Sequence, residues 1–451
     1  MKWIVAVYGL VAGALFIYGL RRGARIAPWL WVAIGVLPFI VSSLHLYFAL
    51  VSWPTWSGYC KGYEVSAIDG LIIIALFDRR LDRSIPWMIV PLLIYGATII
   101  LSVQRAAVPT AAEFPVWQLA RMIALVTVAA QACTNPRVPP ALMLGVGIGV
   151  CIEMFTVLDQ RYAQHILQTP GTFVHQNTLG LITNLAVMPF AAVFIARPRN
   201  FWAAIIAVAG IVIGLMTVSR ATQGLYVLGL ALLVVISLVR SFTLQRLTFA
   251  LATVGVVSVA TPVAMATLSQ RFKEVPLDPL YDERAAFELA ASMLFKDHPW
   301  GIGANHYVMQ VNLLGYNDIA RVAWTSFDAT VHNVYLLTSA ELGYPGLAAL
   351  WLMQLVPIFV AFRWGWRDRG DIRSDVLIGA GVGLILTTLH NSVEWIFVTM
   401  EVQYVYALSL GLVAGLSMRL RAGQLAERRA RASRPQPGVL GPALAGAALA
   451  G

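Results

Sequence analysis

Residues 201–218, FWAAIIAVAGIVIGLMTV, run apolar into the turn Ser219-Arg220-Ala221-Thr222, and a second apolar run at 223–239 closes in the basic block Arg240 to Arg246. Each run is long enough to cross a hydrocarbon core of roughly 30 Å. Lipid offers no partners for backbone N–H and C=O groups, so both runs must be helices. The turn between them is very short. It therefore holds Arg220 at one face of the membrane while the basic block marks the other.

The same alternation continues in both directions. Apolar helices are expected near 3–20, 29–51, 65–77, 86–102, 116–132, 139–158, 178–195, 201–218, 223–239, 247–265, 333–361, 376–396 and 403–418. Gly343 and Pro345 should bend the long eleventh helix. Hydrophobic residues are 59% of 451, charged residues 12%, and mean hydropathy is +0.74. A soluble globular chain carries about twice that charge. The fold class is an all-α polytopic membrane protein, a bundle of about 12–13 transmembrane helices, the number depending on whether 3–20 spans. That first segment runs straight into Arg21-Arg22 and reads as a helix rather than a cleaved signal peptide.

Net charge is +10, but it sits in short blocks rather than in a nucleic-acid footprint. Arg21 to Arg25, Arg79 to Arg83, Arg137, Arg197 to Arg199, Arg240 to Arg246, Arg363 to Arg373 and the tail from Arg419 fall on one side, which the positive-inside rule makes cytoplasmic. The chain then divides into N-terminal transmembrane helices (1–265), a large outward loop (266–332), C-terminal transmembrane helices (333–418) and a basic, then low-complexity cytoplasmic tail (419–451). Within the loop, Tyr281 to Phe295 has helical periodicity, with Phe287, Leu289, Ala290, Met293 and Leu294 on its apolar face, so a helix should lie there on the membrane surface. Pro299 and the glycines of His298-Pro-Trp-Gly-Ile-Gly303 end it. Cys60, Cys133 and Cys151 show no metal spacing.

Ionisable residues in or beside the spans (His45, Asp69, Arg121, Glu153, Arg220, His390, Glu394) fall toward the outward ends of their helices. Intramembrane charge is expensive and marks a site or a water-filled cavity by default. Transporters concentrate it near the midplane instead. Thr330-Val331-His332-Asn333-Val334-Tyr335-Leu336 sets a histidine at the lip of a long apolar helix, just after the outward loop. A neutral imidazole there, with an ordinary pKa of about 6.5, can accept a proton at ambient pH. Arg220 can grip phosphate oxygens bidentately or snorkel to a lipid headgroup. Arg284 can bind phosphate at a helix N-terminus or pair locally with Asp282 or Glu288. His175 and Gln176 meet an outward helix start that Asn177 or Thr178 would cap, and stand as possible lining residues beside Asn333. His390 and Glu394, spaced i, i+4, share a helix face, either as a structural pair or orienting an acceptor.

The chain has no Gly-x-x-x-x-Gly-Lys-Ser/Thr loop for a nucleotide and no Asp-x-Asp or paired carboxylates in an outward loop for a divalent metal. No cofactor and no metal are expected. A transferase built this way needs a pre-activated donor, and a pyrophosphate-linked one suits it, with arginines stabilising the leaving group.

The turn Ser219-Arg220-Ala-Thr-Gln-Gly224, the stretch from Arg284 to His298-Pro-Trp-Gly-Ile-Gly303, and Val331-His332-Asn333-Val-Tyr335 resemble, in this order and topology, the O-antigen ligase and polymerase superfamily. The O-antigen ligases are the nearest match within it. The resemblance implies an inverting glycosyltransferase of the bacterial inner membrane, with its active site facing the periplasm and its C-terminus in the cytoplasm. Its donor would be an undecaprenyl-pyrophosphate-linked glycan and its acceptor lipid A–core, completing lipopolysaccharide among the membrane lipids. Arg220 and Arg284 would then hold the donor pyrophosphate, and His332 would be the general base toward the acceptor hydroxyl. The tryptophan expected shortly after Arg284 is absent, and Phe287 stands there. An O-antigen polymerase, a protein O-oligosaccharyltransferase, and a transporter or flippase of polyprenol-linked sugars are the alternatives.

Overall fold

The computed structural model describes residues 27–78, 81–244, 246–248 and 282–432, with the single positions 17, 251, 255, 262 and 266. In chain order the elements are α1 (Ala27–Ile40), β1 (Tyr47–Ser52), β2 (Gly62–Ser66), α2 (Ala67–Ala75), α3 (Val90–Ser102), α4 (Pro109–Cys133), α5 (Val138–Tyr162), α6 (Gln176–Ala196), α7 (Phe201–Met216) and α8 (Arg220–Arg240). There follow α9 (Glu283–Asp297), α10 (Tyr307–Leu313), α11 (Tyr316–Ile319), α12 (Val334–Gly365), α13 (Ile372–His390) and α14 (Met400–Ala432).

Eight helices among the described residues are long and apolar enough to cross a membrane: Trp87–Arg105, Pro109–Cys133, Val138–Tyr162, Gln176–Ala196, Arg220–Arg240, Val334–Gly365, Ile372–His390 and Met400–Ala430. Two shorter apolar helices, Pro28–Ile40 and Phe201–Met216, accompany them. The protein is all-α and polytopic. Its span count differs from the 12–13 expected, for four reasons, the first being that the 201–218 run gives only the 16-residue helix Phe201–Met216. Segment 3–20 and most of 247–265 lie outside the described residues. Segment 65–77 is the nine-residue α2, too short to cross a core of about 30 Å. Segment 29–51 is not one helix. It stops at Ile40, turns through His45 at φ 52°, and continues as β1, paired antiparallel to β2 with Phe48 opposite Val65 and Ala49 opposite Glu64. A left-handed residue cannot continue a helix, and the aromatic and β-branched run Tyr-Phe-Ala-Leu-Val favours a strand once a partner is present.

α6 runs through the middle of the bundle: 89% of its apolar window is buried, against 22% for α8. The basic blocks gather at one end. There Asp375, at the start of α13, accepts Arg240 at 2.9 Å and Arg197 at 3.3 Å. Arg369 donates to Arg240 O at 2.7 Å, and Arg367 to Gln424 at 3.2 Å.

Toward the other end α12 breaks at Gly343 (φ 68°, ψ −165°), as Gly343 and Pro345 predict. The backbone groups freed by the break are taken up by the segment Pro299–Gly303. Ile302 and Gly303 N–H donate to the carbonyls of Ala340 (3.1 Å) and Glu341 (2.9 Å), while Tyr344 N–H returns a bond to Pro299 O at 3.1 Å. This clip fixes the large loop to the bundle. Residues 282–331 thereby hold α9 against α12.

Candidate active site

Glu394 organises the site. α13 ends at His390, and the chain then turns so that Glu394 N–H donates to His390 O at 3.1 Å. The expected i, i+4 pair on one helix face is corrected here: Glu394 lies beyond the helix, in the turn. Its carboxylate is buried, with 2% of the side chain exposed, so it needs partners. It has three. Arg284 Nη2 reaches Oε1 at 2.9 Å, His332 Nδ1 reaches Oε2 at 3.1 Å, and Asn177 Nδ2 donates to Oε1.

Each partner is positioned by a helix start. Asp282 caps α9, accepting the backbone N–H groups of Arg284 (3.0 Å) and Ala285 (3.4 Å), which sets Arg284 in the first turn. Asn333 caps α12, accepting from Tyr335 (3.0 Å) and Leu336 (3.2 Å), so His332 sits just outside the helix. Val334 N–H donates to Asn391 O at 2.8 Å and ties that start to the Glu394 turn. His175, not Asn177 or Thr178, caps α6: its Nδ1 accepts Asn177 N–H at 3.2 Å, which frees the Asn177 amide for Glu394.

Burial alone would raise the Glu394 carboxyl. The hydrogen bond and charge of His332, with the charges of Arg284 and His390, outweigh it and hold the group below its ordinary value. Glu394 is therefore ionised and only accepts hydrogen bonds. His332 Nδ1 therefore donates to this carboxylate, which leaves Nε2 as the ring nitrogen that can take up a proton. The imidazole side chain is 28% exposed and the Arg284 side chain 51%, so both face open space. Phe287, buried, packs its ring 6.1 Å from the His332 ring and occupies the position where a tryptophan was expected. Of the apolar face expected for this helix, Phe287, Ala290 and Leu294 are buried, Met293 is half-buried, and Leu289 is exposed; Ala286 and Ala291 complete the packed side.

Arg220 is the first residue of α8, exposed, after the cap Ser219. Thr222 lies against Gly180, and Asn184 Nδ2 donates to Thr222 O at 3.4 Å. Gly180 is one turn from Asn177, so Arg220 stands at the same end of the bundle as Glu394. His175 is exposed and Gln176 half-buried, donating to Gln168 at 3.2 Å. His390 is fully buried behind Glu394, and neither ring nitrogen has a hydrogen-bond partner among the described residues.

Cation, imidazole and buried carboxylate thus meet where two helix starts and one helix end converge. Residues 185–352 match the family model described as O-antigen ligase. Over this stretch the match supports the O-antigen ligase superfamily. No curated protein matches it. The matched span contains Arg220, Arg284 and His332 but stops before Glu394 and begins after Asn177. Sequence reading gives Asn177 only a capping role and so misses it, whereas Glu394 stands as a possible site residue paired with His390 and serves His332 and Arg284 instead.

Proposed function

We propose that the protein is an inverting glycosyltransferase that moves O-antigen polysaccharide from undecaprenyl pyrophosphate to lipid A–core on the periplasmic face of the inner membrane. The observation that carries this reading is the shared Glu394 carboxylate, bonded to Arg284 on one oxygen and His332 on the other. Arg284 has only Nη2 engaged among the described residues, so the rest of its fork is open to a pyrophosphate oxygen. Arg220 at the same end supplies a second guanidinium, fixed by its place in the first turn of α8. Together they stabilise the charge that develops on the leaving pyrophosphate. The acceptor hydroxyl gives its proton to His332 Nε2 as its oxygen attacks the anomeric carbon and the C–O bond to pyrophosphate breaks. Glu394 holds the ring in that tautomer and offsets the imidazolium charge. A single displacement inverts the anomeric centre.

The test uses purified full-length protein with lipid-linked glycan and lipid A–core. His332→Ala should lower kcat by about 10²–10⁴-fold with donor binding retained, the usual share of general base catalysis. Transfer at the wild-type rate would remove His332 from the mechanism. Lipopolysaccharide from a deletion strain assigns the acceptor: uncapped core with accumulated lipid-linked polymer supports the ligase, whereas core bearing one repeat would make the enzyme a polymerase. Unchanged lipopolysaccharide with an unglycosylated secreted protein would make it a protein glycosyltransferase.

A further inference from the structure

A cavity of about 200 Å³ is bounded by the β1–β2 hairpin, α4 and the start of α14. It is far larger than the ~10–15 Å³ that one water needs. Trp395, the residue after Glu394, is part of its wall, so one side of the cavity belongs to the segment that carries Glu394. Its other walls include Tyr47, Trp117, Glu64, Glu401 and Gln118.

The polar groups differ in what they leave free. Gln118 already donates to Val398 O at 3.1 Å and accepts from the Cys60 thiol. Arg121 is closed off by Asp69, which takes both Nε (3.1 Å) and Nη2 (2.6 Å), and by Tyr404. Glu401 accepts from Ser42 on Oε1, which leaves Oε2. The Glu64 side chain has no hydrogen bond among the described residues, although Trp117 Nε1 donates to its backbone oxygen at 2.7 Å and holds the indole in place. Burial pushes the Glu64 carboxyl up; Arg121 pulls it down and Glu401 adds to the rise. The cavity thus presents aromatic faces and carboxylate acceptors, with its one guanidinium already neutralised. A phosphate would meet two carboxylates and no open cation. A neutral polyol with one apolar face fits: C–H faces lie on aromatic rings and hydroxyls donate to carboxylates.

We infer that this cavity is a sugar subsite, seating a pyranose ring against Trp395, Trp117 or Tyr47 with its hydroxyls donating to Glu64 and Glu401. The inference rests on the transferase reading for its purpose, since a glycan held against Trp395 lies beside the segment that carries Glu394, but not for its chemistry. Two glycans could supply the ring: the acceptor core or the donor chain.

Tyr47→Ala and Glu64→Gln are assayed for transfer with intact and sugar-truncated versions of each substrate, alongside wild type. The expected result is a KM about tenfold higher for one substrate with kcat within about twofold of wild type. A KM effect that vanishes with the truncated core assigns the ring to the acceptor, and one that vanishes with the truncated donor assigns it to the donor chain. Binding is read separately, from tryptophan fluorescence of the wild-type protein titrated with delipidated core oligosaccharide and with glycan released from the lipid pyrophosphate. Quenching by one of them, weakened in both variants, supports the subsite. Unaltered KM for both substrates, no quenching by either oligosaccharide, or quenching by a simple alkylamine alone overturns it. A wild-type protein that binds these sugars through Tyr47 and Glu64 but transfers nothing would sink the transferase reading and leave the subsite standing.

Discussion

Glu394 shows why a site can be invisible at the level of spacing. Its position four residues after His390 reads as a helical pair, yet α13 ends at His390 and the carboxylate turns away to Arg284 and His332. Nothing local in the sequence announces that turn; the loop and the start of α12 impose it through the bond from Val334 N–H to Asn391 O. His332 and Arg284 were legible because both belong to motifs at helix starts. Asn177 was not, because its type explains capping equally well. Glu394→Gln removes the charge that fixes the His332 tautomer while keeping the size of the side chain, so we expect kcat to fall about 10²-fold or more, with a smaller change in donor KM. A wild-type kcat would leave the carboxylate a structural anchor. Arg284→Lys keeps the charge but loses the planar fork, and donor KM should rise at least about tenfold. Acid gives an independent check. Because the folded Glu394 carboxyl is held below its ordinary value, its stabilisation is complete above an unfolded value of about 4.3 and is lost as pH falls through the lower folded value. Thermal unfolding in detergent from about pH 6 to about pH 3 should therefore be less acid-sensitive in Glu394→Gln than in wild type. Equal slopes would show that the ion pair contributes nothing to the fold.

Among the elements, the segment His298-Pro-Trp-Gly-Ile-Gly303 and the break at Gly343 explain each other. The motif was legible as a helix stop, and Gly343 with Pro345 as a bend. That the two dock together could not be read, since they are about forty residues apart and the hydrogen bonds that join them are between backbone groups. Their contact is close: a Cβ on Gly301 would come within 2.3 Å of Glu341 O, and one on Gly343 within 2.4 Å of Pro299 O. Gly343 also has φ 68° and ψ −165°, a region open essentially to glycine alone. Gly343→Ala should thus cost more than the about 1–3 kcal/mol of backbone strain and lower the midpoint of thermal unfolding. An unchanged midpoint would mean that the loop is not clipped at this position. The β1–β2 hairpin is the opposite lesson. Apolar content made 29–51 look like one span, and period alone does not separate a short apolar strand from a helix until a partner such as β2 is known.

Over the whole molecule, α13 carries the organising charges of both ends: Asp375 near its start and Glu394 just past its close. Its 19 residues rise about 28 Å, close to the thickness of a hydrocarbon core. A helix of that length with a buried ion pair at one end and another just beyond the opposite end has little freedom to slide, so the charges set its depth as well as its packing. The two ends differ in kind. Arg197, Arg240, Arg367, Arg369 and Arg373 crowd the Asp375 end, and this clustering of blocks distant in sequence is what alternating loop charge predicts. If that end is cytoplasmic, a membrane-impermeant maleimide applied to intact spheroplasts should label cysteines placed at the Glu394 end and spare those at the basic end. Val174 and Leu313 are 94% and 72% exposed, so Val174→Cys and Leu313→Cys should react. Asp368→Cys and Arg428→Cys, exposed among the basic residues, should react only after lysis. Cys60 and Cys133 are buried, so a Cys151→Ser background suffices. Labelling of Arg428→Cys in intact cells would invert the topology and put the His332 cluster in the cytoplasm, where a periplasmic transferase could not use it.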